Sequence, residues 1–569
     1  MIDNSYITKK IKLATKLMEL HGENDFKVRG LQKTVDTIDA LDEQLSELET
    51  SQLEKLEGIG KSTASKIAEI AEKGSFDQLD ELLEKTPEGV IEMLGLPGFG
   101  PKKIRQLWNE AGAETLEELL ELCHQGKIAA LKGFGDKSQE TLLRAVEFKM
   151  DCRGWFKYAV LEPVFTSIVE FIRKEIPLAK VSETGALRRR MDVVSVVDIL
   201  AGHDDFEAVR QALEKMEDLE VEKSKSGPFT WAGTHVPTKA RVKVRLCHTK
   251  EYDKTLMLTT GSVLHLNAVL DNGNKLKDVV NTMNGQGEAG IYESQGLAYI
   301  EPELREGQFE IEKAAKKELP VLVEMADLKG ILHNHSTYSD GKHTLRQMAE
   351  HCKSLGYEYL GISEHSQTAV YASGLYEYNV KEQQEEIKKL NAELAPFRIF
   401  SGIESDILPD GSLDYPDEIL ASFDFIVASV HSGLNMDINK ATNRLLAAIR
   451  NPSTTILGHM TGRLLLEREG YPVDHKEIIH ACAENNVVIE INASPYRLDI
   501  DWKWVNYALE QGVMLSINPD AHSMDGYKNM YYGVLAGRKG GLTKEMTLNA
   551  KTLTDIALYF EDRKAKITS

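Results

Sequence analysis

Seven short apolar runs recur through the rear part of this chain, and each ends on a side chain of a type that binds metal ions. The runs are rich in Val, Ile, Leu and Phe and are separated by helical stretches, which predicts alternating strands and helices. Such alternation gives a parallel sheet, and this many units are expected to form a closed or nearly closed barrel. The runs lie at 330–336, 359–366, 397–405, 423–432, 454–460, 486–494 and 513–522.

The polar end of each run has a functional interpretation, because barrel enzymes place their chemistry at the carboxyl ends of the strands. A single buried histidine is usually a satisfied core residue, but a His, Asp, Glu or Asn at the end of every run is hard to explain in that way. Two pairs have the i, i+2 spacing that directs side chains to one face, His333 with His335 and Asp520 with His522. We therefore predict a metal site at this rim.

Composition places the 569 residues among soluble multidomain proteins, with 42% hydrophobic and 28% charged residues. The sequence contains no apolar run of membrane-spanning length and no signal peptide. The five cysteines are scattered, which fits a reducing cytosol and argues against a disulfide framework. The net charge of −21 argues against binding of nucleic acid through a broad basic surface, so any such contact must be local.

A second repeat lies in the front of the chain, where a Gly-apolar-Gly turn precedes a helix at 56–70, 96–108 and 131–146. Each turn allows close approach of the backbone to a ligand, and the free N–H groups of the next helix can bind a phosphate. A turn that needs glycine only for its dihedral angles is the alternative, which explains one copy more readily than all of them. The residues expected to contact DNA are Gly58, Gly60, Lys61, Gly98, Gly100, Lys102, Gly133, Gly135 and Lys137.

Together, these turns, TGALRRR at 184–190, TGSVLH at 260–265 and HNHSTYSDG at 333–341 resemble the bacterial family X DNA polymerases with a C-terminal polymerase-and-histidinol-phosphatase (PHP) domain. EINASPYRLDIDW at 490–502 and NPDAH at 518–522 extend the resemblance, which covers essentially the whole chain. It implies a multidomain α+β and α/β protein, with helical helix-hairpin-helix domains, a nucleotidyltransferase-like palm and thumb, and a distorted (β/α)7 TIM-like PHP barrel. We expect a DNA-end-binding domain at 1–90, fingers at 91–150, palm at 151–250, thumb at 251–310, linker at 311–327 and barrel at 328–569.

The palm departs from the pattern that the resemblance implies. Members of the family hold two Mg²⁺ ions with clustered aspartates, but the corresponding positions here are Val196, Asp198 and Lys243. Cations about 4 Å apart repel by several kcal/mol even at an effective dielectric of about 20, and one carboxylate cannot offset that. We predict a palm without Mg²⁺ and without polymerase activity, although a register shift could bring Asp192 into a ligand position. The residues expected to retain contact with a nucleotide or DNA are Gly185, Arg188, Asp198, Gly261, Ser262 and His265.

The PHP ligand set, by contrast, is complete. The ligands implied by the resemblance are His333, His335, Asp340, His365, Glu404, His431, His459, Asp520 and His522. So many ligands imply a cluster of about two or three divalent ions, and mixed imidazole and carboxylate suits Zn²⁺, Mn²⁺ or Fe²⁺ better than Mg²⁺. Glu404 is the expected bridging carboxylate, with Asp520 as a second candidate.

Four further residues are candidates for supporting roles. Arg497 has the bidentate fork of a phosphate clamp, with a surface ion pair as the alternative. Glu490 and Asn492 are expected at or near the site, where a hydrogen bond to a ligand would suit them. Lys66 falls where the family places the Schiff-base lysine of a 5′-deoxyribose-phosphate lyase, but an ordinary lysine on a solvated helix is the favoured interpretation.

These features predict a DNA-repair enzyme, with base excision repair as the setting that the resemblance implies. The barrel would be a metal-dependent 3′–5′ exonuclease or DNA-end-processing phosphoesterase that acts on gapped or nicked DNA. Three alternatives stay open, an active gap-filling polymerase with a proofreading barrel, a small-molecule phosphatase similar to histidinol phosphatases, and a non-catalytic DNA-gap-binding scaffold. We expect a monomer in the bacterial cytoplasm, at the nucleoid when it is bound to DNA, with no membrane association.

Overall fold

The computed structural model describes residues 2–41, 43–283 and 285–568. The chain divides into two compact units, Met1–Arg153 and Gly154–Ser569. Among the described residues, no helix is both long enough and apolar enough to cross a bilayer.

The first unit is helical. One hydrophobic core runs through it from Ile7 to Val146, and residues on both sides of position 90 contribute to that core. Its helices are α1 Asn4–Leu20, α2 Asp25–Ala40, α3 Thr50–Leu53, α4 Lys61–Lys73, α5 Asp77–Glu84, α6 Glu88–Met93, α7 Pro101–Asn109, α8 Leu116–His124 and α9 Asp136–Asp151.

The second unit begins with an α/β layer in the expected palm. Its elements are β1 Phe156–Lys157, α10 Tyr158–Glu175, β2 Lys180–Glu183, α11 Gly185–Arg188, β3 Val193–Val194, β4 Val197–Gly202, α12 Phe206–Glu214, β5 Leu219–Val221, β6 Thr230–His235 and β7 Ala240–Cys247. The main sheet has the order β2-β4-β7-β6-β5, with β4 and β7 parallel and the other pairs antiparallel. Apolar side chains of α10 and α12 pack on this sheet and form its core.

A small helical cluster follows, where the thumb was expected. Its helices are α13 Tyr252–Thr260, α14 Val263–Asn267, α15 Leu276–Thr282, α16 Gly287–Glu293 and α17 Glu310–Lys316. Ala314 and Leu322 are buried in the core of this cluster. The segment 311–327, expected to be a linker, is therefore packed structure and contributes to the thumb core.

The rear of the second unit is a parallel barrel. The elements are β8 Gly330–Ile331, α18 Leu345–Ser354, β9 Tyr359–His365, α19 Glu377–Leu394, β10 Arg398–Asp406, α20 Asp417–Leu420, β11 Phe425–Ser429, α21 Ile438–Arg450, β12 Ile456–Leu457, α22 His475–Asn485, β13 Val488–Asn492, α23 Trp502–Glu510, β14 Leu515–Asn518, α24 Met530–Lys539 and α25 Leu553–Thr568. The strands β8 to β14 pair in chain order and form a sheet that, over the described residues, has seven strands. One strand lies in each predicted run, so the expected nearly closed (β/α)7 barrel is confirmed.

The first and last strands of the barrel are joined at both ends. Beyond the strand ends, Asn334 forms a parallel bridge with Ala521. Near the opposite end, the Asn549 amide donates to the carbonyl oxygens of Gly330 and Ile517 and accepts from the Ile517 N–H at 3.1 Å. These polar contacts satisfy the backbone groups that an open sheet edge would leave unpaired.

Alternation along the strands divides the barrel interior into an apolar floor and a polar mouth. In β10, Phe400, Glu404 and Asp406 share one phase of the pleat and face the same side. Phe400 packs on Phe560 of α25, with ring centroids 5.2 Å apart, and helps to fill the floor. Glu404 and Asp406, at the carboxyl end, consequently reach the mouth.

Candidate functional site

The side chains predicted as metal ligands meet at the mouth of the barrel. Their ligand atoms form overlapping groups, within each of which all the atoms lie within 4.8 Å of one another. Among the described residues the groups are His335, Asp340, His365 and His522; His333, Glu404 and His459; His333, His335 and Asp520; and His365, Glu404 and His431. Because several residues are shared between groups, the arrangement is one continuous cluster.

Glu404 lies at the centre of this cluster and is almost fully buried. Its Oε1 atom faces His459 Nε2 at 3.0 Å, His431 Nε2 at 3.1 Å and His333 Nε2 at 3.2 Å. Its Oε2 atom faces His365 Nδ1 at 3.0 Å and His335 Nε2 at 3.6 Å. The two oxygens therefore face different sets of imidazoles, as a bridging ligand does.

Several atoms at the centre have no hydrogen-bond partner, although they are buried and close together. These atoms include both carboxylate oxygens of Glu404, Nε2 of His333 and Nδ1 of His365. Buried polar atoms are nearly always hydrogen-bonded, because an unpaired one is costly. These oxygen and nitrogen atoms lie close together but are not aligned for hydrogen bonds. That arrangement fits lone pairs that are directed at shared cations.

The charges within the cluster favour the anionic form of its central carboxylate. Burial alone would raise the pKa of Glu404, but the imidazoles of His431, His333 and His365 outweigh it and hold that pKa well below its ordinary value. Burial likewise opposes the charged form of His431, yet Glu404 and Asp406 raise the pKa of that imidazole to about 10. The cluster is thus a strongly polarised site in a buried setting.

Glu490 and Asn492 lie behind the cluster, where they contact ligands from the outer side. Glu490 Oε1 is 2.5 Å from His333 Nδ1 and accepts a hydrogen bond of 3.0 Å from the Asn518 amide. The Asn492 amide donates to Asp520 Oδ2 at 3.2 Å. Such outer contacts fix the orientation of an imidazole or a carboxylate that faces a metal.

Asp406 has the same kind of role and was not identified from the sequence. Its Oδ1 atom is 2.5 Å from Nδ1 of His431, and its Oδ2 atom accepts from the Thr368 hydroxyl at 2.8 Å. Asp406 follows Glu404 by two residues on β10, the spacing that identified the His333 and His335 pair. Applied to β10, that alternation would have pointed to Asp406.

Arg497 lies at the edge of the cluster, with Nε 3.8 Å from Asp520 Oδ2. Its backbone is held by Arg463, whose Nε donates to the Arg497 carbonyl oxygen at 2.9 Å. Arg463 also donates to Asp501 at 2.7 Å and to Asp192 of the palm at 3.0 Å. Asp192 is therefore buried against the barrel. It does not take the palm ligand position that a register shift could have given it.

The palm carboxylate Asp198 is already paired. Arg245 donates from Nε to Asp198 Oδ1 and from Nη2 to Oδ2, each at 2.9 Å. Lys243 lies directly opposite Asp198 in the parallel register of β4 and β7. The backbone of Gly185 comes so close that a Cβ there would lie 3.3 Å from Asp198 Oδ2. The remaining palm carboxylate is thus paired with a guanidinium and closely approached by the backbone.

Arg188, expected to be part of a nucleotide-binding remnant, has carboxylate and hydroxyl partners. It donates to Glu288 at 2.8 and 2.5 Å and to the Thr260 hydroxyl at 2.9 Å. Arg305 also donates to Glu288, at 2.5 Å. Although burial opposes it, these guanidinium groups lower the pKa of Glu288 to about 2, so the carboxylate is charged and holds Arg188 in place.

The TGSVLH segment supports the local fold of the thumb. Gly261 ends α13, and the Ser262 hydroxyl caps α14 by accepting from the His265 N–H at 3.1 Å. The His265 ring is fully buried between Glu310 Oε1, 2.7 Å away, and the Tyr292 hydroxyl, 2.8 Å away. Both ring nitrogens are occupied, which corrects the expectation that this histidine contacts a nucleotide.

The glycine turns of the first unit repeat one geometry. The first glycine of each turn has positive φ, +82° at Gly58, +80° at Gly98 and +85° at Gly133. The second glycine is the N-cap residue of α4, α7 or α9, and these helix starts lack a side-chain cap. Their first N–H groups are thus available to a phosphate. The second glycines are Gly60, Gly100 and Gly135, and the exposed lysines beside them are Lys61, Lys102 and Lys137.

Lys66 lies on the surface of α4, where its ammonium donates to the Ser62 hydroxyl at 2.9 Å. A Schiff-base lysine is normally activated by an apolar pocket or a neighbouring cation. The surroundings of Lys66 correspond to the favoured interpretation, an ordinary lysine on a helix surface.

Models of three domain families match the chain. A helix-hairpin-helix domain matches residues 2–76, a SAM-like helix-hairpin-helix tandem matches residues 90–147, and a PHP domain matches residues 332–494. The first two cover the glycine turns, and the third covers most of the predicted ligands.

Relatives match either the whole chain or the barrel. The DNA polymerase/3'-5' exonuclease PolX of Bacillus subtilis (strain 168) is 35% identical over 555 residues, which are 96% of this chain and 97% of the relative. A probable phosphatase of Thermoanaerobacter sp. (strain X514) is 26% identical over 253 residues, 42% of this chain and 98% of the phosphatase. A probable phosphatase of Clostridium acetobutylicum (strain ATCC 824) is 32% identical over 168 residues, 28% of this chain and 63% of the phosphatase. The nearly full-length match and the three matched domains show that the chain belongs to the PolX family, as the resemblance of its motifs predicted.

Proposed function

We propose that this protein is a metal-dependent 3′–5′ exonuclease and DNA-end-processing phosphoesterase that acts on gapped or nicked DNA. The observation that carries the proposal is the buried cluster around Glu404, on a chain whose first unit repeats a phosphate-binding turn. The name of the Bacillus subtilis relative, a DNA polymerase/3'-5' exonuclease, agrees with the nuclease part.

The cluster would hold about two or three Zn²⁺, Mn²⁺ or Fe²⁺ ions, which its mixture of imidazoles and carboxylates suits better than Mg²⁺. The unpartnered oxygens of Glu404 and the imidazoles that face them support this assignment. When bound, such ions supply an activated water near neutral pH and stabilise negative charge on the leaving oxygen.

The residues around the cluster would position the scissile phosphodiester. Arg497 projects at the edge beside Asp520, where its fork can hold two non-bridging phosphate oxygens. Glu490 and Asn492 keep His333 and Asp520 in their orientations through the contacts described above. Attack at the last phosphodiester of a strand, held in this way, releases one nucleotide from the 3′ end.

The first unit would bind the DNA backbone without reading its sequence. Backbone N–H groups at the starts of α4, α7 and α9, together with Lys61, Lys102 and Lys137, can contact successive phosphates. Contacts of this kind lose affinity as salt concentration rises.

We further propose that the palm has lost nucleotidyl transfer. A two-metal site needs several free carboxylates, whereas Asp198 is bound by Arg245, Lys243 lies beside it, and Asp192 is held by Arg463. A guanidinium cannot be deprotonated in a protein, so Arg245 does not readily yield its place to Mg²⁺.

A small-molecule phosphatase is the second candidate, because the barrel matches probable phosphatases over nearly their whole length. The glycine turns argue against it, since a metabolite phosphatase has no use for phosphate-binding turns in a separate unit. A gap-filling polymerase and a non-catalytic scaffold are weaker candidates, because the first needs palm carboxylates and the second needs no ligand cluster.

Three assays in parallel separate these functions. Metal-loaded protein is incubated with labelled gapped DNA, with histidinol phosphate, and with a primed template plus Mg²⁺ or Mn²⁺. We expect stepwise 3′–5′ degradation of DNA, intact histidinol phosphate and no primer extension. Primer extension would refute the loss of polymerase activity, and hydrolysis of histidinol phosphate alone would select the phosphatase.

Substitution of the first ligand pair assigns the nuclease to the barrel. We expect His333→Ala with His335→Ala to abolish DNA degradation and to leave DNA binding unchanged. His480→Ala, which removes a histidine of α22 whose ring is hydrogen-bonded to the Tyr507 hydroxyl at 2.8 Å, is the matched control and should retain activity. Degradation by the double variant at the wild-type rate would exclude the barrel as the nuclease.

A further inference from the structure

The exposed aromatic side chains of the barrel all lie near its mouth. In the described part of 328–568, they are Tyr371, Tyr376, Tyr378 and Tyr496, with 71, 51, 68 and 49% exposure. The first three follow β9, which ends at His365, and Tyr496 precedes Arg497. Single exposed apolar side chains are common, but their collection at the edge of one site indicates a binding surface.

Tyr371 is the member of this group next to the ligand cluster. The centroid of its ring lies 6.2 Å from that of His365. Its neighbour Val370 is also exposed, whereas Ala369 and Ala372 on either side are buried. The loop therefore anchors itself through small residues and leaves an aromatic ring in solvent beside the site.

The loop that carries Tyr371 is held on both sides. The Thr368 N–H donates to Asp414 at 2.7 Å, and its hydroxyl donates to Asp406 at 2.8 Å. The Leu375 N–H donates to the His365 carbonyl oxygen at 2.9 Å and closes the loop. A ring on such a loop loses little conformational entropy when a ligand stacks on it.

The other exposed tyrosines have a parallel ring or a cation as a neighbour. The rings of Tyr376 and Tyr378 are parallel within 5°, with centroids 6.1 Å apart. On the Arg497 side, the Lys157 ammonium, which is paired with Glu467, lies 4.2 Å from the ring centroid of Tyr496. Aromatic faces together with cations are the means by which proteins bind single-stranded nucleic acid, because every base offers a π face and every linkage a charge.

We propose that Tyr371, together with Tyr376 and Tyr378 of the segment that follows β9, forms a stacking platform for the unpaired bases at a single-stranded 3′ end of DNA. This inference rests on the proposed function and specifies the substrate of the same site. A base stacked on Tyr371 would lie beside the cluster that receives the adjoining phosphodiester. Bases within a duplex already have both faces covered, so the platform selects single-stranded or frayed 3′ ends.

The kinetic test compares variants on a single-stranded 3′ overhang and on the same overhang with its terminal base replaced by tetrahydrofuran. Stacking is worth about 1–3 kcal/mol per base, so Tyr371→Ala should lower kcat/KM on the intact overhang about 5- to 150-fold. Tyr371→Phe should stay near wild type, as should Leu355→Ala, an exposed residue outside the mouth. On the baseless overhang, Tyr371→Ala should cause no further loss. Wild-type rates for Tyr371→Ala, or an equal loss on both overhangs, would overturn the proposal.

A binding measurement tests the same contact without turnover. In the background of His333→Ala with His335→Ala, an oligonucleotide with 2-aminopurine at its 3′ end should lose fluorescence on binding, and Tyr371→Ala should abolish that loss. Unchanged quenching in the Tyr371→Ala variant would overturn the proposal even if wild-type protein degraded no DNA, so its failure is distinct from failure of the proposed nuclease. Elemental analysis of Tyr371→Ala, with the histidines intact, should show wild-type metal content.

Discussion

The candidate metal site of the barrel and the Asp198 site of the palm each place a carboxylate among nitrogen-containing side chains, but in two different ways. Glu404 faces imidazoles, each of which can lose a proton and offer a lone pair to a metal ion. Asp198 faces the guanidinium of Arg245, which keeps its protons and has no lone pair to offer. If the proposed function is correct, neighbouring side chains decide, as much as the carboxylate itself, whether such a site holds metal.

The largest effect is expected from Glu404→Gln in the barrel. The amide cannot bridge cations as a carboxylate does, so nuclease activity should fall by at least about 10²–10³-fold, the usual cost of losing a preorganised electrostatic contact to the transition state. Digestion of 3′-labelled DNA measures this loss, and elemental analysis should show fewer bound ions. Glu385→Gln, on the exposed side of α19, is the control. If the Glu404→Gln variant kept wild-type activity and wild-type metal content, Glu404 would not be a ligand of the proposed site.

A smaller effect is expected from Asp406→Asn. The amide would still fill the space but would not hold the His431 imidazole as firmly, and loss of such an outer contact costs about 10- to 100-fold in metal affinity or activity. Competition with a chelator measures the affinity. Asp410→Asn, which alters an exposed carboxylate four residues away, should behave as wild type. Equal affinities for the two variants would show that Asp406 does not orient a ligand.

Asp192→Asn tests the contact between palm and barrel through pH. Burial raises the pKa of Asp192 from 3.8 to about 6, despite the opposing effect of Arg463. The folded protein therefore binds an extra proton between these values, and the stability from this group is present below the lower value and lost as pH rises through about 6. Relative to Asp192→Asn, the wild type should lose a few degrees of Tm between about pH 4 and pH 6. Parallel Tm curves would contradict the assignment.

The smallest effect is expected from a substitution of Asp198 in the palm. Asp198→Asn should leave metal content and nuclease activity unchanged, because Asp198 is bound by Arg245 and contributes no ligand. Elemental analysis and DNA digestion beside the wild type measure both. A loss of bound ions from this variant would show that the palm holds metal after all.

The barrel, and the grouping of the candidate ligands at its mouth, were predictable because their information is local. Each apolar run contains one strand, and the polar residues at the ends of the runs come together. The strand alternation expected for His333 and His335 does not apply, because both residues lie beyond β8 and His333 has a φ of +61°. Except for β10, the strands are shorter than the runs, because several runs continue into the loops that carry the candidate ligands. The boundary at 311–327 was harder to predict, because charged residues can cover a packed segment whose buried side, at Ala314 and Leu322, is apolar.

Long-range pairs were beyond the reach of sequence patterns. Arg463 and Asp192 lie 271 positions apart, and no periodicity connects them. The substitution of Lys243 indicated a damaged palm, but the fork of Arg245 on Asp198 became visible only when β4 and β7 were set side by side. His265 matched a family segment, yet whether such a histidine faces a ligand or the interior depends on Glu310 and Tyr292, which lie far along the chain.

The central position of Glu404 has a consequence for metal uptake. Since the Glu404 carboxylate faces several imidazoles, loss of any one ion from the proposed site would leave a buried anion only partly neutralised and would weaken binding of the remaining ions. Binding of the ions should accordingly be cooperative, and nuclease activity would rise from low to full over a narrow range of free-ion concentration. In a cell short of these ions, the proposed nuclease activity would fall abruptly, whereas binding of DNA by the first unit would persist.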